Sequence, residues 1–205
     1  VRANNKCNLM DMVGNLEKFV INAGDMNEHI TQGLADCLTI REERGSINGS
    51  KIALVGDLSN SRVINSLVRL LCQYNVELYF VAPKILQIDE ELETYLGECN
   101  GIDWSKADSI EEVIGKVDVI YMTRLQKERI TFETQEDEKN MSKEWSKYQL
   151  TPALMAEAKK DMIVMHPMPR NDEIPMALDN DNRSAYFRQM KYAMYLRMAL
   201  LEMIC

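Results

Sequence analysis

The residues best suited to binding a charged ligand follow three short apolar segments, each close to the point where the segment ends. Asp57 and Arg62 follow the segment KIALVG, Arg124 and Gln126 follow VDVIYM, and the run His166–Arg170 (HPMPR) closes the segment MIVMH. Guanidinium groups bind carboxylate and phosphate groups through two parallel hydrogen bonds. Because the carboxyl ends of parallel strands meet at one edge of a sheet, this spacing predicts a site for a small anion.

A fourth candidate is the start of a helix predicted from Thr31 onward. His29 and Gln32 would lie at its N-terminal end, where the helix dipole favours negative charge, and could act as neutral donors toward an anionic or carbonyl-bearing ligand. Ordinary interpretations stay open for all of these residues. An arginine after a strand is more often a solvated surface charge, His29 could only cap its helix, and His166 could be a buried, hydrogen-bonded imidazole.

The apolar segments alternate with segments of helical periodicity. This alternation predicts an α/β fold, a doubly wound parallel sheet with helices on both faces. The predicted strands are residues 51–56, 76–83, 117–122 and 162–166, with IDWS (102–105) as a short edge strand. The predicted helices are 61–75, 89–100, 109–116, 152–160 and a long amphipathic C-terminal helix from about residue 185.

Two further parts lie outside this repeat. Residues 1–28 predict a helix at Asn8–Lys18, a short strand FVIN and a loop, and Ile130–Tyr148 is charged and predicts a surface loop. The chain begins at Val1 without a methionine, so we expect it to be part of a longer polypeptide.

Composition excludes several classes of function. The 205 residues carry a net charge of −8, which argues against a nucleic-acid-binding face, and no apolar run reaches the roughly 18–20 residues that cross a membrane. The five cysteines are scattered without a C-x-x-C pair, which predicts no disulfide framework, no zinc site and a cytoplasmic location. A dinucleotide fingerprint, a P-loop and metal-binding histidine spacing do not occur, so we expect no cofactor and no metal.

Five segments, in chain order, resemble the second half of the aspartate carbamoyltransferase family, and its eukaryotic type in particular. Ornithine carbamoyltransferases share the fold and a histidine–glutamine motif but not TRxQKER or HPMPR, so the aspartate branch is the more similar. The five segments are INAGDMNEHITQGLADCLTIREE, VGDLSNSR, DVIYMTRLQKER, VMHPMPRNDEIP and AYFRQMKYAMYLRMALL.

The resemblance implies transfer of the carbamoyl group of carbamoyl phosphate to L-aspartate, giving N-carbamoyl-L-aspartate and phosphate in de novo pyrimidine biosynthesis. By similarity, His29 is catalytic and polarises the carbamoyl carbonyl oxygen, and Gln32 also contacts the carbamoyl group. Met168 and Pro169 would offer backbone carbonyls to the carbamoyl amine. The prolines of HPMPR would therefore stiffen a turn whose acceptors must stay directed at one small ligand.

The same resemblance assigns the aspartate end of the site. Arg62 and Arg124 would hold the two aspartate carboxylates, and Gln126 would support them. His166 and Arg170 would frame the pocket. The family forms trimers, so the resemblance also implies a homotrimer for the intact enzyme.

The resemblance divides the chain into three parts. Residues 1–28 correspond to the end of a carbamoyl-phosphate-binding domain and a linker, 29–185 to the aspartate-binding domain, and 186–205 to a helix that returns to the first domain. The Ser-Thr-Arg-Thr-Arg phosphate loop of the family does not occur in these 205 residues. We therefore expect most of an aspartate pocket and only part of a carbamoyl phosphate pocket, and a chain that is inactive alone.

The chain departs from the family pattern at three positions near the predicted site. Ile30 stands where the family has proline, Ser61 where it has glycine and Asn65 where it has histidine. These departures and the missing loop leave a second hypothesis open, a non-catalytic homologue or fragment that acts as an anion-binding or interaction module. A carbamoyltransferase for another amine is a third.

Overall fold

A computed structural model of the chain describes residues 13, 19–25, 28–126 and 143–204. Its centre is a five-stranded sheet in which every neighbouring pair of strands is parallel. The strands are β1 (Lys51–Val55), β2 (Val76–Val81), β3 (Ile102–Ala107), β4 (Val119–Met122) and β5 (Ile163–Met165). Their order is β3-β2-β1-β4-β5, so the chain winds outward from β1 and then continues on its other side. The predicted doubly wound α/β fold is confirmed, and the predicted edge strand is β3.

Five α-helices connect and flank the strands in the described part of the chain. Asp89 and Thr151 cap two of them, since their side chains accept hydrogen bonds from the N–H groups of Leu92 and Leu154. The helices are α1 (Ile30–Arg44), α2 (Arg62–Leu71), α3 (Glu90–Glu98), α4 (Pro152–Glu157) and α5 (Tyr186–Ile204). Short 3₁₀ turns lie at Lys84–Leu86, Trp145–Tyr148 and Met176–Leu178.

The sheet is buried on both faces, as β1 illustrates. Ile52 and Leu54 point into a core formed with α1, α2 and α3, whereas Ala53 and Val55 point into a second core formed with α4 and the segments around it. Alternate side chains of a strand point to opposite faces, so a strand that is apolar at successive positions can fill both cores.

Residues 109–116 correct one prediction, because they form consecutive turns and not a helix. The bonds alternate between two spacings: Ile114 N–H donates to Ile110 O, and Lys116 N–H donates to Val113 O. Ile110, Val113 and Ile114 are still fully buried. A segment this short gains few helical bonds against the cost of nucleation, so burial of its apolar side chains decides its backbone.

Two other predictions need correction, and one cannot be compared. Residues 19–22 (FVIN) form no strand, and the predicted surface loop ends in a 3₁₀ turn with Trp145 and Tyr148 buried in the core. Apolar side chains at the end of a charged segment explain the second difference, because they pack where the chain returns to the sheet. The predicted helix at Asn8–Lys18 lies outside the described residues apart from Val13.

The C-terminal helix α5 packs against α1 and leaves an apolar face exposed. Arg188 donates to both carboxylate oxygens of Glu43 at 2.8 and 2.6 Å, which fixes the two helices to each other. On the outer side of α5, Met190, Met194 and Met198 are 54%, 50% and 59% exposed. A contiguous apolar face of this kind is a site of association.

We expect the 205-residue chain to associate in solution through this face of α5. Light scattering across a range of protein concentrations should show an average mass above that of the monomer. The triple variant Met190→Glu, Met194→Lys, Met198→Lys should remain monomeric, whereas Met176→Lys, which changes a still more exposed methionine elsewhere, should associate like wild type. A monodisperse monomer for wild type would contradict the expectation.

Gly56, directly after β1, has φ +113 and lies against Thr123. A Cβ at this position would be 2.5 Å from Thr123 O and 2.7 Å from Thr123 Oγ1. We expect Gly56→Ala to lower the free energy of unfolding by about 2–4 kcal/mol, because both the backbone conformation and the space exclude a side chain.

Urea denaturation of Gly56→Ala and Gly97→Ala measures this difference. Gly97 lies in α3 with no atom within 4 Å of a built Cβ, so alanine there should be neutral or stabilise the helix by up to about 1 kcal/mol. Equal stability of the two variants would show that the approach of Thr123 to Gly56 is not restrictive.

Candidate functional site

A cavity of about 380 Å³ lies beyond the carboxyl ends of β1, β4 and β5, next to the N-terminal end of α1. The strand order reverses between β1 and β4, which is where ligands bind in open α/β sheets. The described residues that line the cavity are His29, Gln32, Asn60, Ser61, Arg62, Val63, Thr123, Arg124, Gln126, His166, Pro167, Met168 and Pro169.

The structure brings all the predicted site residues to this one cavity. They are His29, Gln32, Arg62, Arg124, Gln126, Met168 and Pro169. Arg170 instead turns away from it, donating to Asp179 Oδ2 at 2.7 Å and to the Tyr186 hydroxyl at 3.0 Å. Arg170 therefore does not line the cavity but links the HPMPR turn to the start of α5. Lys127 and Arg129, two further cations of the TRLQKER segment that were expected near the same edge of the sheet, lie outside the described residues.

Asp57 joins the two loops that carry the arginines. Its carboxylate is fully buried and accepts from the backbone N–H of Asn60 at 3.1 Å and of Gln126 at 3.1 Å. The side chain of Gln126 in turn donates to Asn60 O at 3.0 Å. The loop after β1 and the loop after β4 are thereby held at a fixed distance, which places Arg62 and Arg124 on one cavity.

Arg62 is the first residue of α2, and its guanidinium donates to the backbone oxygen of Asp25. The Asp25 carboxylate organises the preceding turn, since it accepts from Asn22 Nδ2 and from the Glu28 N–H, each at 2.9 Å. The segment before α1 therefore positions one of the two cavity arginines. Sequence reasoning did not assign Asp25 any role.

His29 occupies the N-cap position of α1. Its backbone N–H donates to Ser66 Oγ at 2.8 Å, and its ring lies against Gly24, where a Cβ would be 3.5 Å from His29 Cδ2. The bond to Ser66 connects the start of α1 to α2. The ring lines the cavity and contacts the protein at Gly24 and at Thr31, whose Oγ1 lies 3.5 Å from His29 Nδ1.

The HPMPR turn is organised by the His166 ring. Met168 N–H donates to His166 Nδ1 at 2.8 Å, so the ring hydrogen lies on Nε2, which donates to Glu173 Oε1 at 2.8 Å. Met168 has φ +53, and the Met168–Pro169 peptide bond is cis. Burial alone would raise the pKa of Glu173, but hydrogen bonds from His166 and from the Asn171 N–H outweigh it and lower that pKa. His166 is thus a buried, hydrogen-bonded imidazole that also fixes the carbonyls of the turn.

Asp36 lies behind the cavity as the acceptor of three buried donors. Oδ1 accepts from Gln32 Nε2 at 2.8 Å and from Gln189 Nε2 at 2.7 Å, and Oδ2 accepts from the Tyr121 hydroxyl at 2.8 Å. Gln189 Oε1 accepts from the His166 N–H at 2.9 Å. One carboxyl group therefore links α1, β4, α5 and the turn after β5.

The donor role predicted for Gln32 stays a prediction, since one of the two N–H groups of its amide is used within the protein. That N–H is directed at Asp36, which lies one helical turn later on the same face of α1. Asp36, Gln189 and Glu173 were missed by the sequence reasoning. A carboxylate within the otherwise buried face of α1 was a signal for Asp36, and the spacing from His166 was too weak a signal for Glu173.

The positions that depart from the family pattern are accommodated. Helix α1 begins at Ile30 without a proline, and Ser61, the N-cap of α2, has φ −91, which any residue can adopt. Asn65 lies within α2, and Arg62 still reaches the cavity. The substitutions at positions 30, 61 and 65 therefore leave the described geometry of the site intact.

The cavity has a cationic character although the protein is acidic. Arg62, Arg124 and His29 line it, and none of its lining residues in the described part of the chain is acidic. The carboxylates of Asp36, Asp57 and others bond to the backs of the lining residues and do not line the cavity. The arrangement can hold an anion with two carboxylate groups and direct polar groups at a carbonyl between them.

Among the residues that the structure describes, no group of three or more His, Cys, Asp or Glu side chains is arranged to hold a metal ion. No helix among those residues is both long and apolar enough to span a bilayer.

Comparison with known proteins gives the same family at the level of sequence and of structure. The family model "Aspartate/ornithine carbamoyltransferase, Asp/Orn binding domain" matches residues 48–204. The multifunctional protein CAD of Squalus acanthias is 45% identical over 188 residues, which are 91% of this chain and 8% of that protein. The chloroplastic aspartate carbamoyltransferase 2 of Pisum sativum is 41% identical over 187 residues, 90% of this chain and 47% of that protein.

Among solved structures, aspartate transcarbamoylase from Trypanosoma cruzi in complex with carbamoyl aspartate and phosphate superposes with a TM-score of 0.89 at 37% identity. The match covers 98% of this chain and 63% of that chain. The chain therefore spans about half the length of the plant relative and less than two thirds of the solved one.

Asp36 makes a pH-dependent contribution to stability that can be measured. Burial raises its pKa to about 7, despite the three hydrogen bonds and the charge of Arg197. The folded protein therefore binds this proton more tightly than the unfolded chain, in which the pKa is about 3.9, and the carboxyl lowers stability as pH rises from about 4 to about 7.

We expect wild type to lose stability relative to Asp36→Asn, on the order of 2 kcal/mol, between about pH 5 and about pH 8. Asparagine cannot ionise but keeps an oxygen for Gln32 and Gln189. Urea denaturation of both proteins across this range measures the difference, and taking the difference cancels the titration of other groups. A difference that is constant with pH would contradict the raised pKa.

Proposed function

Because the chain belongs to the aspartate/ornithine carbamoyltransferase family, we propose that it is the L-aspartate-binding part of an aspartate carbamoyltransferase. The reaction transfers the carbamoyl group of carbamoyl phosphate to the amino group of L-aspartate, releasing phosphate and forming N-carbamoyl-L-aspartate for pyrimidine biosynthesis. The observation that carries the proposal is the meeting of Arg62, Arg124 and His29 on one cavity whose described lining contains no acidic residue.

The charge of the cavity favours the aspartate branch of the family over the ornithine branch. L-Aspartate presents two carboxylates, and two guanidinium groups match them. An ornithine substrate would bring a side-chain amine, which two arginines in the same cavity would repel. The names of the Pisum sativum relative, an aspartate carbamoyltransferase, and of the Trypanosoma cruzi structure, an aspartate transcarbamoylase, point in the same direction.

The proposed chemistry assigns each lining group one task. Arg62 and Arg124 hold the carboxylates of aspartate, and Gln126 supports them through its bonds to Asp57 and Asn60 O. His29 donates toward the carbamoyl oxygen as that oxygen gains negative charge in the transition state. A single donor of this kind contributes about 3–4 kcal/mol, and positioning of the two reactants about 7–11 kcal/mol.

The carbamoyl amine is assigned to the HPMPR turn. Backbone carbonyls of Met168 and Pro169 would accept its hydrogens, and the bond from Met168 N–H to His166 Nδ1 keeps that turn in place. An all-acceptor environment suits an –NH₂ group, which can only donate here. His166 acts through the turn and does not need to contact the substrate.

The remainder of the active site is proposed to come from outside the described residues. Residues 1–28 would be the end of a carbamoyl-phosphate-binding domain and 29–185 the aspartate-binding domain. Residues 186–205 would be a helix that returns to the first domain, which would then cover the exposed methionines of this helix. We propose a homotrimer for the intact enzyme. The free thiols of Cys37, Cys72 and Cys99 support a cytoplasmic location, although several relatives are named as chloroplastic.

Binding of N-carbamoyl-L-aspartate to the chain tests the assignment of the arginines. We expect Arg124→Ala to weaken binding on the order of 10–100-fold, because a charge-assisted pair with a carboxylate is lost. Isothermal titration calorimetry of wild type and variant measures the ratio. Arg41→Ala is the matched control, since Arg41 is exposed and pairs with the adjacent Glu42.

Equal binding by wild type and Arg124→Ala would rule out this arrangement of the site. The transcript sequence upstream of Val1 distinguishes the enzyme from the alternative, a non-catalytic anion-binding module. A Ser-Thr-Arg-Thr-Arg loop there supports the enzyme, whereas a transcript that starts without one supports the module.

A further inference from the structure

We propose that Asp36 and Arg197 are positioning residues that fix the orientation of the Gln32 side-chain amide and thereby make the site selective for a carbamoyl group. Acyl groups of the same shape that carry a methyl in place of the amine would bind less well. The inference rests on the proposed function, because it concerns the carbamoyl end of the same cavity.

The two ends of the Gln32 amide contact groups of opposite hydrogen-bonding character. Nε2 donates to Asp36 Oδ1 at 2.8 Å, and Oε1 accepts from Arg197 Nη2 at 3.3 Å. Asp36 Oδ1 accepts from two amide groups, and a guanidinium only donates. One orientation of the amide therefore satisfies both contacts, and the flipped orientation satisfies neither.

Burial makes the flipped orientation costly. Gln32 is 9% exposed and Asp36 is fully buried. A flip would place the amide oxygen against a carboxylate oxygen and the amide nitrogen against the guanidinium, with little water to compensate either contact. Leaving a buried polar group without its partner costs about 1–3 kcal/mol, and more where the neighbour is charged.

Asp36 is itself held in place, so it cannot follow the amide. Tyr121 donates to its second oxygen, and Gln189 donates to the oxygen that Gln32 also uses. Gln189 in addition accepts from the His166 N–H. The hydrogen bonds that hold Asp36, and through it the Gln32 amide, therefore belong to the same network that holds the HPMPR turn.

The fixed orientation determines what Gln32 offers the ligand. A carbonyl oxygen has two lone pairs, and the contact with Arg197 uses one of them. The other can accept from a ligand, while the second N–H of the amide remains a donor, and Gln32 lines the same cavity as Met168 and Pro169. Acceptors from two separate segments then favour a group that carries N–H bonds over a methyl group.

The test compares N-carbamoyl-L-aspartate with N-acetyl-L-aspartate, which differ only by an amine in place of a methyl. Calorimetric titration of each ligand into the 205-residue chain gives the ratio of the two affinities. The variants are Asp36→Leu, Arg197→Met and their combination. Asp36→Asn is the matched conservative variant, and Gln32→Met gives the ratio expected when the amide contributes nothing.

We expect wild type to prefer the carbamoyl ligand at least about tenfold, since one unpaired acceptor is worth a factor of this size. The ratio should fall in each single variant and reach the Gln32→Met value in the double variant. Asp36→Asn should keep the wild-type ratio, because its oxygen can still accept from Gln32. A purely structural role for Asp36 would weaken both ligands equally and leave the ratio unchanged.

A double variant that keeps the wild-type ratio would overturn the inference while leaving the proposed function in place. Failure of wild type to bind either ligand would overturn both. If Asp36→Leu does not fold, the half-buried Arg197→Met and the ¹H–¹⁵N spectrum of the wild-type Gln32 amide decide. We expect the Nε2 proton that bonds to Asp36 to be shifted downfield of the signals of solvent-exposed glutamines and to exchange slowly with water; ordinary shifts and fast exchange for both protons, together with an unchanged ratio in Arg197→Met, would overturn the inference.

Discussion

The hydrogen bonds of the buried Asp57 carboxylate connect the loops after β1 and β4, and the rest of the site depends on them. These strands are neighbours in space although about 70 residues separate the loops in the chain. Backbone N–H groups of both loops donate to one carboxylate, so neither loop can move without leaving a buried charge unpaired. The parallel sheet brings the two arginine-bearing loops to one edge, and Asp57 sets the distance between them.

Two other buried carboxylates, those of Glu173 and Asp36, also hold lining residues in place, but their pKa values shift in opposite directions. Hydrogen bonds outweigh burial at Glu173, whose pKa is lowered, whereas burial dominates at Asp36, whose pKa is raised to about 7. Both bond to the side of a lining residue that faces away from the cavity. An acidic protein can therefore have a cationic cavity, because these acidic groups hydrogen-bond to the lining residues from within the protein and do not line the cavity themselves.

The sequence was sufficient for the sheet and for the positions of the lining residues, and the physical reason is local. Apolar runs identify strands that are buried on both faces, and residues that follow such strands must lie at one edge, as Arg62 and Arg124 do. Contacts such as Gln189 with Asp36 join residues 153 positions apart, so no local pattern could indicate them. The helix predicted at 109–116 was wrong for a local reason: the apolar spacing was correct, but in so short a segment it does not determine the backbone conformation.

Helix α5 contacts the residues behind the cavity with one side and exposes methionines on the other. Gln189, Ala193 and Arg197 follow one another at four-residue spacing, and the first and third contact Asp36 and Gln32. The neighbouring face carries Met190 and Met194, which are half exposed. A helix this regular moves as one body, so whatever covers its methionines also constrains the amides behind the cavity. The Gln32 end of the cavity is therefore the part whose geometry depends most on what lies against α5, whereas the arginine end, held by Asp57, is set by the sheet itself.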